Sequence, residues 1–435
     1  MTNIYLEIKS VFYRIKNLKS QLKNLSLYLL ATIITSSIGV LMNPFLAANL
    51  SPKDYAIIGY FTSFSTLISF IISFSFLSYY SRNYYKIKEN ERQLVLNTLI
   101  ISQVFLGFAS LLLVFIGFYY YMHIAKVNFP FFPFAILCFI PVFFNSFYNY
   151  LLVEKRMKRQ AVSYFKITIL NTISIALFAI LFVVIFKKGA IGRFWSILLP
   201  AVGMGIFSIF KLVSKFQYNW KILRDAINFG WPISLSAVLY YFMSGIDIAM
   251  LEQLNDQTTL GIYNVAVLIT SYLFVFYAAI VQTFEPDIYK AIAEDHQKKL
   301  IQIIAGIVIL NAIPTTLFII LAHPVVSILT YGRYVASTQF AQILAVKNIP
   351  LAFCFLSSNV IIGYGYPKVE LMNRAIGAFL SVIMFKILIN KFGFWGAAWG
   401  QSIALIFMTI ISSSFILYKF LTRKKTHDEK NLLHS

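Results

Sequence analysis

The amino-acid sequence predicts an all-α polytopic membrane protein of about 12 transmembrane helices, in two six-helix lobes related by a pseudo-two-fold along the membrane normal. Three observations carry this reading. Of 435 residues, 59% are hydrophobic and only 12% charged, with a mean hydropathy of +0.75. A soluble domain of this length needs more polar surface. Apolar runs long enough to cross a bilayer recur along the whole chain. Lys and Arg, finally, gather in alternate loops. The chain lacks the evenly spaced alternating strands of a membrane barrel.

Taken in order, residues 1–24 carry Ile4, Ile8, Val11, Phe12, Ile15, Leu18 and Leu22 at helical spacing, with Lys9, Arg14, Lys16, Lys19 and Lys23 on other faces. That pattern predicts a basic amphipathic helix on the cytoplasmic leaflet. It has no compact apolar core with a small-residue cleavage site, so it does not read as a signal peptide. Spans are expected near 25–48, 55–80, 94–121, 130–153, 161–186 and 194–213, then 226–251, 261–285, 300–322, 338–363, 371–390 and 394–418. The N-terminal lobe is thus 25–213, a cytoplasmic linker 214–225, the C-terminal lobe 226–418, and a basic cytoplasmic tail 419–435.

Orientation follows from the positive charges. One side receives residues 1–24, Arg82 to Arg92, Lys155 to Arg159, Lys211 to Arg224, Lys290 to Lys299, Lys368 with Arg374, and the tail. The other side receives Lys53, Lys126, Lys187, Lys188, Arg193, Arg333 and Lys391. Both termini are therefore expected in the cytoplasm. The net charge of +21 is accounted for by these loops, so no nucleic-acid partner is expected.

Other chemistries find no residues to carry them. Cys138 and Cys354 both lie in apolar runs and form no C-x-x-C pair. The histidines His123, His296, His323, His427 and His434 lack metal-ligand spacing. No phosphate-binding loop, nucleophile elbow or zinc-protease motif occurs. No enzyme activity, cofactor or metal is expected.

An internal repeat organises the chain. Asn43 and Asp247 stand 204 residues apart, as do Leu50 and Leu254. Each pair is followed by a short polar turn, Ser51-Pro52-Lys53-Asp54 and Asn255-Asp256-Gln257-Thr258. Near the end of each half stands G-x-x-G-x-x-W, Gly189-Gly192-Trp195 and Gly393-Gly396-Trp399, at the same offset. An even number of spans per half gives both halves the same topology, with a path between two bundles.

Polar residues then fall on single helix faces. Span 1 carries Thr32, Ser36, Gly39 and Asn43; span 2 carries Thr62, Ser65, Ser69 and Ser73. Span 7 carries Ser236, Tyr240, Ser244 and Asp247; span 8 carries Asn264, Ser271, Ala278, Gln282 and Glu285. Packing between helices uses small and hydroxyl residues too, but the repeat-related placement points to a shared polar cavity. Asp247 is the sharpest signal, because a carboxylate at membrane depth costs about 2.5–3.5 kcal/mol even on insertion scales. Lys347 lies too deep in span 10 to snorkel. Lys166 and Lys386 lie near span ends, where snorkelling accounts for them. Glu154, Glu252 and Glu285 sit at helix ends and are expected to be solvated. Pro232, Pro314 and Pro350 are expected to kink or loosen spans 7, 9 and 10.

At this point the chain resembles a known family. The residues are Phe229-Gly230-Trp231-Pro232, Gly245-Ile246-Asp247, Leu260-Gly261-Ile262-Tyr263-Asn264-Val265-Ala266, Leu46 to Tyr55, Leu329-Thr330-Tyr331-Gly332, and Gly393 to Trp399. In that order they resemble the Wzx-type O-antigen flippases of the multidrug/oligosaccharidyl-lipid/polysaccharide exporter superfamily. The resemblance implies alternating-access transport of an undecaprenyl-diphosphate-linked oligosaccharide across the bacterial inner membrane. The repeat unit would belong to O-antigen or a related surface polysaccharide, and polymerase and chain-length proteins would be pathway partners. Spans 1, 2, 7 and 8 line the cavity of such proteins, in agreement with the stripes. The chain departs from its relatives in having no Lys or Arg within spans 1 and 7. Candidate path residues are Asn43, Ser236, Tyr240, Asp247, Asn264, Lys347 and Lys166. Asp247 is the candidate for coupling to a proton or Na⁺. A multidrug exporter of the same superfamily and a polytopic polysaccharide polymerase are the rival readings.

Overall fold

A computed structural model describes residues 27–432, apart from 29, 85–86, 214–215, 295 and 365; for 417–432 only the backbone is described. The basic segment expected over 1–24 lies outside the described residues. The described chain is helical, with no strand among its residues. In order come α1 (Leu30–Asn49), α2 (Pro52–Ser73), α3 (Phe76–Asn83), α4 (Glu89–Ile124), α5 (Phe134–Met157), α6 (Ala161–Ala179) and α7 (Gly189–Leu212). They are followed by α8 (Trp220–Ser244), α9 (Ile246–Glu252), α10 (Gln257–Ala293), α11 (Gln297–Ile320), α12 (Ala322–Leu329), α13 (Thr338–Val346), α14 (Asn348–Gly363) and α15 (Pro367–Leu432).

Nine helices among the described residues are long and apolar enough to cross a membrane, or ten when α8 and α9 count as one bent span. The helix Lys368–Ile416 is one of the nine, yet it is 49 residues long. It turns at Gly393, where φ is 58° and ψ −133°, and so holds two crossings. The 37-residue α10 covers the remaining expected span. The layout is consistent with the twelve spans expected from the sequence.

Contacts divide the chain into two compact units. Unit 1 takes the described parts of Met1–Asn49, Ile68–Tyr121 and Phe131–Ser234. Its core is aromatic: Phe139, Phe147, Tyr150 and Phe194 are fully buried. A Cβ at Gly205 would lie 2.8 Å from the Phe144 carbonyl, so the glycine lets α7 approach α5. Glu154, expected in solvent, is buried. It accepts from the Tyr80 hydroxyl and pairs with Lys158 Nζ at 2.6 Å, and those partners are what let a carboxylate stay inside.

Span 2 was expected to run unbroken over 55–80. The structure breaks it at Phe74 and Ser75, which take positive φ of 48° and 52°. Such a break frees backbone groups that lipid cannot satisfy. Gln103 Nε2 donates to the Ile72 carbonyl at 2.8 Å, and the Ser75 and Ser234 hydroxyls meet at 2.8 Å. Gly230 admits the Phe74 carbonyl, which any Cβ there would strike.

Unit 2 takes Leu50–Leu67, Met122–Pro130 and the described parts of Leu235–Ser435. A Cβ at Gly261 would collide with the Pro52 carbonyl, and one at Gly59 with the Asn264 amide, so these glycines set the contact of α2 with α10. Tyr334 donates to the Leu50 carbonyl at 2.7 Å, and burial pushes its phenol up to about 12. Glu252, also expected in solvent, is buried and accepts from the Asn128 amide at 2.8 Å. The Glu285 side chain lies outside the described residues.

Both α8 and α11 run through Pro232 and Pro314 without a break. Span 7 breaks instead at Gly245, bending by 46°. Span 10 breaks at Lys347, leaving Pro350 in the first turn of α14. There its missing N–H costs nothing, because first-turn amides have no partner in the helix.

The G-x-x-G repeat has one physical cause in both halves. Gly189 and Gly393 take positive φ, 54° and 58°. Three residues on, Gly192 and Gly396 seat against carbonyls of the preceding helical segment, Phe182 and Leu388. Alanine at Gly396 or Gly261 should therefore cost about 1–3 kcal/mol, as overpacking against rigid backbone does. Gly203 and Gly306 have nothing within 4 Å of an added Cβ, so alanine there should be neutral or stabilising. Thermal unfolding of the four purified variants checks the contrast.

Candidate functional site

The bend that ends α8 places Asp247 in the first turn of α9, with 0% of its surface exposed. The local sequence explains the bend. A Cβ at position 245 would lie 2.9 Å from the Tyr241 ring, so the glycine leaves room for the turn. Three segments of unit 2 send polar groups to the carboxylate. From α10, the Tyr263 hydroxyl donates to Oδ2 at 2.6 Å. Gln401 on α15 donates its amide N–H to the same oxygen, also at 2.6 Å. The Gln401 carbonyl oxygen in turn accepts from Lys347 Nζ at 2.6 Å. Lys347 stands at the break between α13 and α14. A flipped amide would set oxygen against carboxylate and nitrogen against ammonium, so only this orientation fits.

The result is one chain of hydrogen bonds: Lys347, Gln401, Asp247, Tyr263. Aromatic rings wall it in. Tyr263 lies edge-on to Phe340 at 5.7 Å and near Phe394 at 6.2 Å, and Phe340 stacks on Trp395 at 4.4 Å. Low dielectric strengthens each bond and raises the cost of breaking any one. The other oxygen, Asp247 Oδ1, is buried with no hydrogen-bond partner.

Of the residues singled out from sequence, the structure brings Asp247 and Lys347 together. Tyr240 and Ser236 lie half-buried on α8, and the Tyr240 ring is 5.9 Å from Phe355. Asn264 is buried against α2, where its Nδ2 donates to the Tyr55 carbonyl at 3.3 Å. Asn43 is buried on α1 and Lys166 exposed on α6, both in unit 1. Several stripe hydroxyls bond carbonyls of their own helix, as Ser65 does with Phe61 at 3.2 Å and Ser244 with Tyr240 at 3.1 Å. Such back-bonding is a common way for hydroxyls inside helices to be satisfied. The side chains of Gln282 and Glu285 lie outside the described residues.

Sequence reasoning missed Gln401 and Tyr263. The one available signal was position: Gln401 lies two residues beyond the G-x-x-G-x-x-W motif, and Tyr263 lies inside the motif that opens span 8. It also missed an ion pair with a buried acid. Glu370 on α15 accepts from Ser358 at 2.6 Å and pairs with Arg374 Nε at 2.7 Å.

Comparison with known proteins agrees with this architecture. Residues 21–290 match the family model described as polysaccharide biosynthesis protein, which is more than half of the chain. An uncharacterized membrane protein of Methanocaldococcus jannaschii is 24% identical over 259 residues, covering 55% of this chain and 61% of that protein. The probable low-salt glycan biosynthesis flippase Agl15 of Haloferax volcanii is 22% identical over 210 residues, 46% of this chain and 44% of Agl15. The chain thus spans less than two thirds of the length of these relatives. Among solved structures, an inward-facing multidrug resistance MATE family transporter of the MOP superfamily superposes with a TM-score of 0.70 at 16% identity, covering 91% of this chain and 99% of that one. The lipid II flippase MurJ in an inward closed conformation gives 0.68 at 15% identity, covering 90% and 87%. These likenesses establish the fold.

The hydrogen-bonded chain makes a thermodynamic prediction. Removing one member of a buried charge pair strands the other, at a cost of about 3 kcal/mol. Asp247→Asn and Lys347→Gln should each destabilise unit 2 by that order. The double variant should lose less than their sum, since neither charge is then left alone. Unfolding of the four proteins in detergent closes the cycle, and additive losses would show that Gln401 does not couple the pair.

Proposed function

We propose, for a chain that belongs to the polysaccharide biosynthesis protein family, that it is a transporter and not an enzyme. It moves a polyprenyl-diphosphate-linked oligosaccharide across the membrane by alternating access. Our reading extends to undecaprenyl diphosphate as carrier, O-antigen or a related surface polysaccharide as cargo, and the bacterial inner membrane as location. The Lys and Arg distribution supports cytoplasmic termini. Polymerase and chain-length proteins are the partners this pathway implies.

The observation that carries the transport reading is Asp247. A helical unit gains no stability from an acid and a base inserted into its apolar interior; well-packed apolar residues serve as well or better. Intramembrane charges of this kind mark pathways and coupling sites. The substrate class is supported by the family match and by the likeness to the flippases Agl15 and MurJ. Asp247 would be the coupling group. Asn43, Ser236, Tyr240, Asn264, Lys166 and Lys347 are the candidate path residues. Lys347 holds Gln401 in this state, so its use for diphosphate requires the bridge to open. The tail of the lipid stays outside, in hydrocarbon, where its transfer costs nothing.

Deletion of the gene should abolish surface polysaccharide, and the wild-type chain should restore it. Asp247→Asn, compared with the wild type at equal membrane abundance, should lower polysaccharide roughly fivefold or more, within the usual range of coupling energies. A gel of surface polysaccharide and an immunoblot of membranes provide both readouts. Unchanged polysaccharide on deletion, with lost drug resistance, would assign the chain to multidrug export instead.

A further inference from the structure

We infer that Gln401 makes Asp247 a site for a proton and not for a metal cation, with Lys347 as its built-in counter-charge. This rests on Asp247 being the coupling group. A hard cation such as Na⁺ is held by several oxygen lone pairs turned toward it. Around Asp247 the hydrogens are turned inward instead. Oδ2 receives the Tyr263 hydroxyl and the Gln401 amide, both at 2.6 Å. The one further side-chain carbonyl in the network, Gln401 Oε1, is taken by the Lys347 ammonium at 2.6 Å.

The charged and titratable groups facing Asp247 are Tyr263 from α10 and Lys347 from the α13–α14 break; α15 contributes the neutral Gln401, and α9 itself the Ile248 amide. A cation entering here would meet an ammonium and two donors already in place. A proton would meet Oδ1, which is fully buried and has no hydrogen-bond partner.

The step balances without a further reagent. A proton from water forms an O–H bond at Oδ1, while Oδ2 keeps both of its donors. Asp247 becomes neutral and Lys347 keeps its positive charge. The trio passes from net neutral to net positive, and release of the proton to water restores it. Protonation therefore leaves the Lys347 ammonium without its counter-charge in the interior of unit 2. That imbalance favours any arrangement in which Lys347 leaves Gln401 for water or for an anion. Gln401 is the positioning residue: its amide reads the charge of Asp247 on one side and transmits it to Lys347 on the other.

The test uses the purified full chain in lipid nanodiscs, with infrared difference spectra recorded as pH falls. Among the carboxylic-acid carbonyl bands that grow as acids protonate, one component should be present in the wild type and missing from Asp247→Asn. Tyr263→Phe and Gln401→Met each remove one donor to the carboxylate, so each should displace the band's midpoint by about a pH unit. Exchanging K⁺ for Na⁺ at constant ionic strength should leave the Tm of the wild type unchanged. A Na⁺-dependent rise in Tm that Asp247→Asn removes would overturn the inference. So would identical titrating bands in the wild type and Asp247→Asn, or an unmoved midpoint in both donor variants. Should Asp247→Asn fail to fold, the Tyr263→Phe midpoint decides. None of these readouts uses a transported molecule, so their failure leaves the polysaccharide assignment standing, and failure of that assignment leaves them intact.

Discussion

Inside hydrocarbon every polar group must be satisfied by the protein itself, and the Asp247 carboxylate is where this constraint bears hardest. It has no exposed surface. Its partners come from three other places in the chain, at positions 263, 347 and 401, so unit 2 can form only if α9, α10, the α13–α14 break and α15 converge. The glycines serve that convergence. Gly245 permits the bend that delivers Asp247, and Gly396 seats the second arm of α15 against the Leu388 carbonyl, which carries Gln401 into place.

The same constraint explains the broken spans. At two of the breaks a specific side-chain donor meets a backbone carbonyl. At Phe74–Ser75 it is Gln103, which reaches the Ile72 carbonyl. At Lys347 it is Asn311, whose amide donates to the Asn348 carbonyl at 2.9 Å. Buried acids follow the rule as well. Glu154, Glu252 and Glu370 each have a named donor within reach. Charge inside this protein is therefore placed with its partner.

The two halves share a frame and differ in charge. The G-x-x-G turns use positive φ and a close carbonyl contact at matched positions. The polar chain does not repeat. At the same offset of 204 residues from Asp247, Tyr263, Lys347 and Gln401 stand Asn43, Gly59, Phe143 and Ile197. At these four matched positions, then, only the C-terminal half carries an acid and a base.

The sequence by itself determined the helical membrane class, the repeat, and Asp247 and Lys347 as misplaced charges. These follow from local properties: run length, spacing, and the cost of a charge at depth. Gly393 and Gly396 were legible as a pattern, and their backbone roles became clear once φ and carbonyl contacts were known. Tertiary structure alone decided that Asp247 and Lys347 belong to one network, because a glutamine between two alanine-rich turns carries no signal of its own. It also decided that Glu154 and Glu252 are buried, and that span 7 breaks at Gly245 and not at Pro232. The physical reason is common to all of these. Burial and hydrogen-bond partnership are relations between residues distant in the chain, such as the 154 positions between Asp247 and Gln401, and periodicity reports only on a residue's neighbours along its own helix.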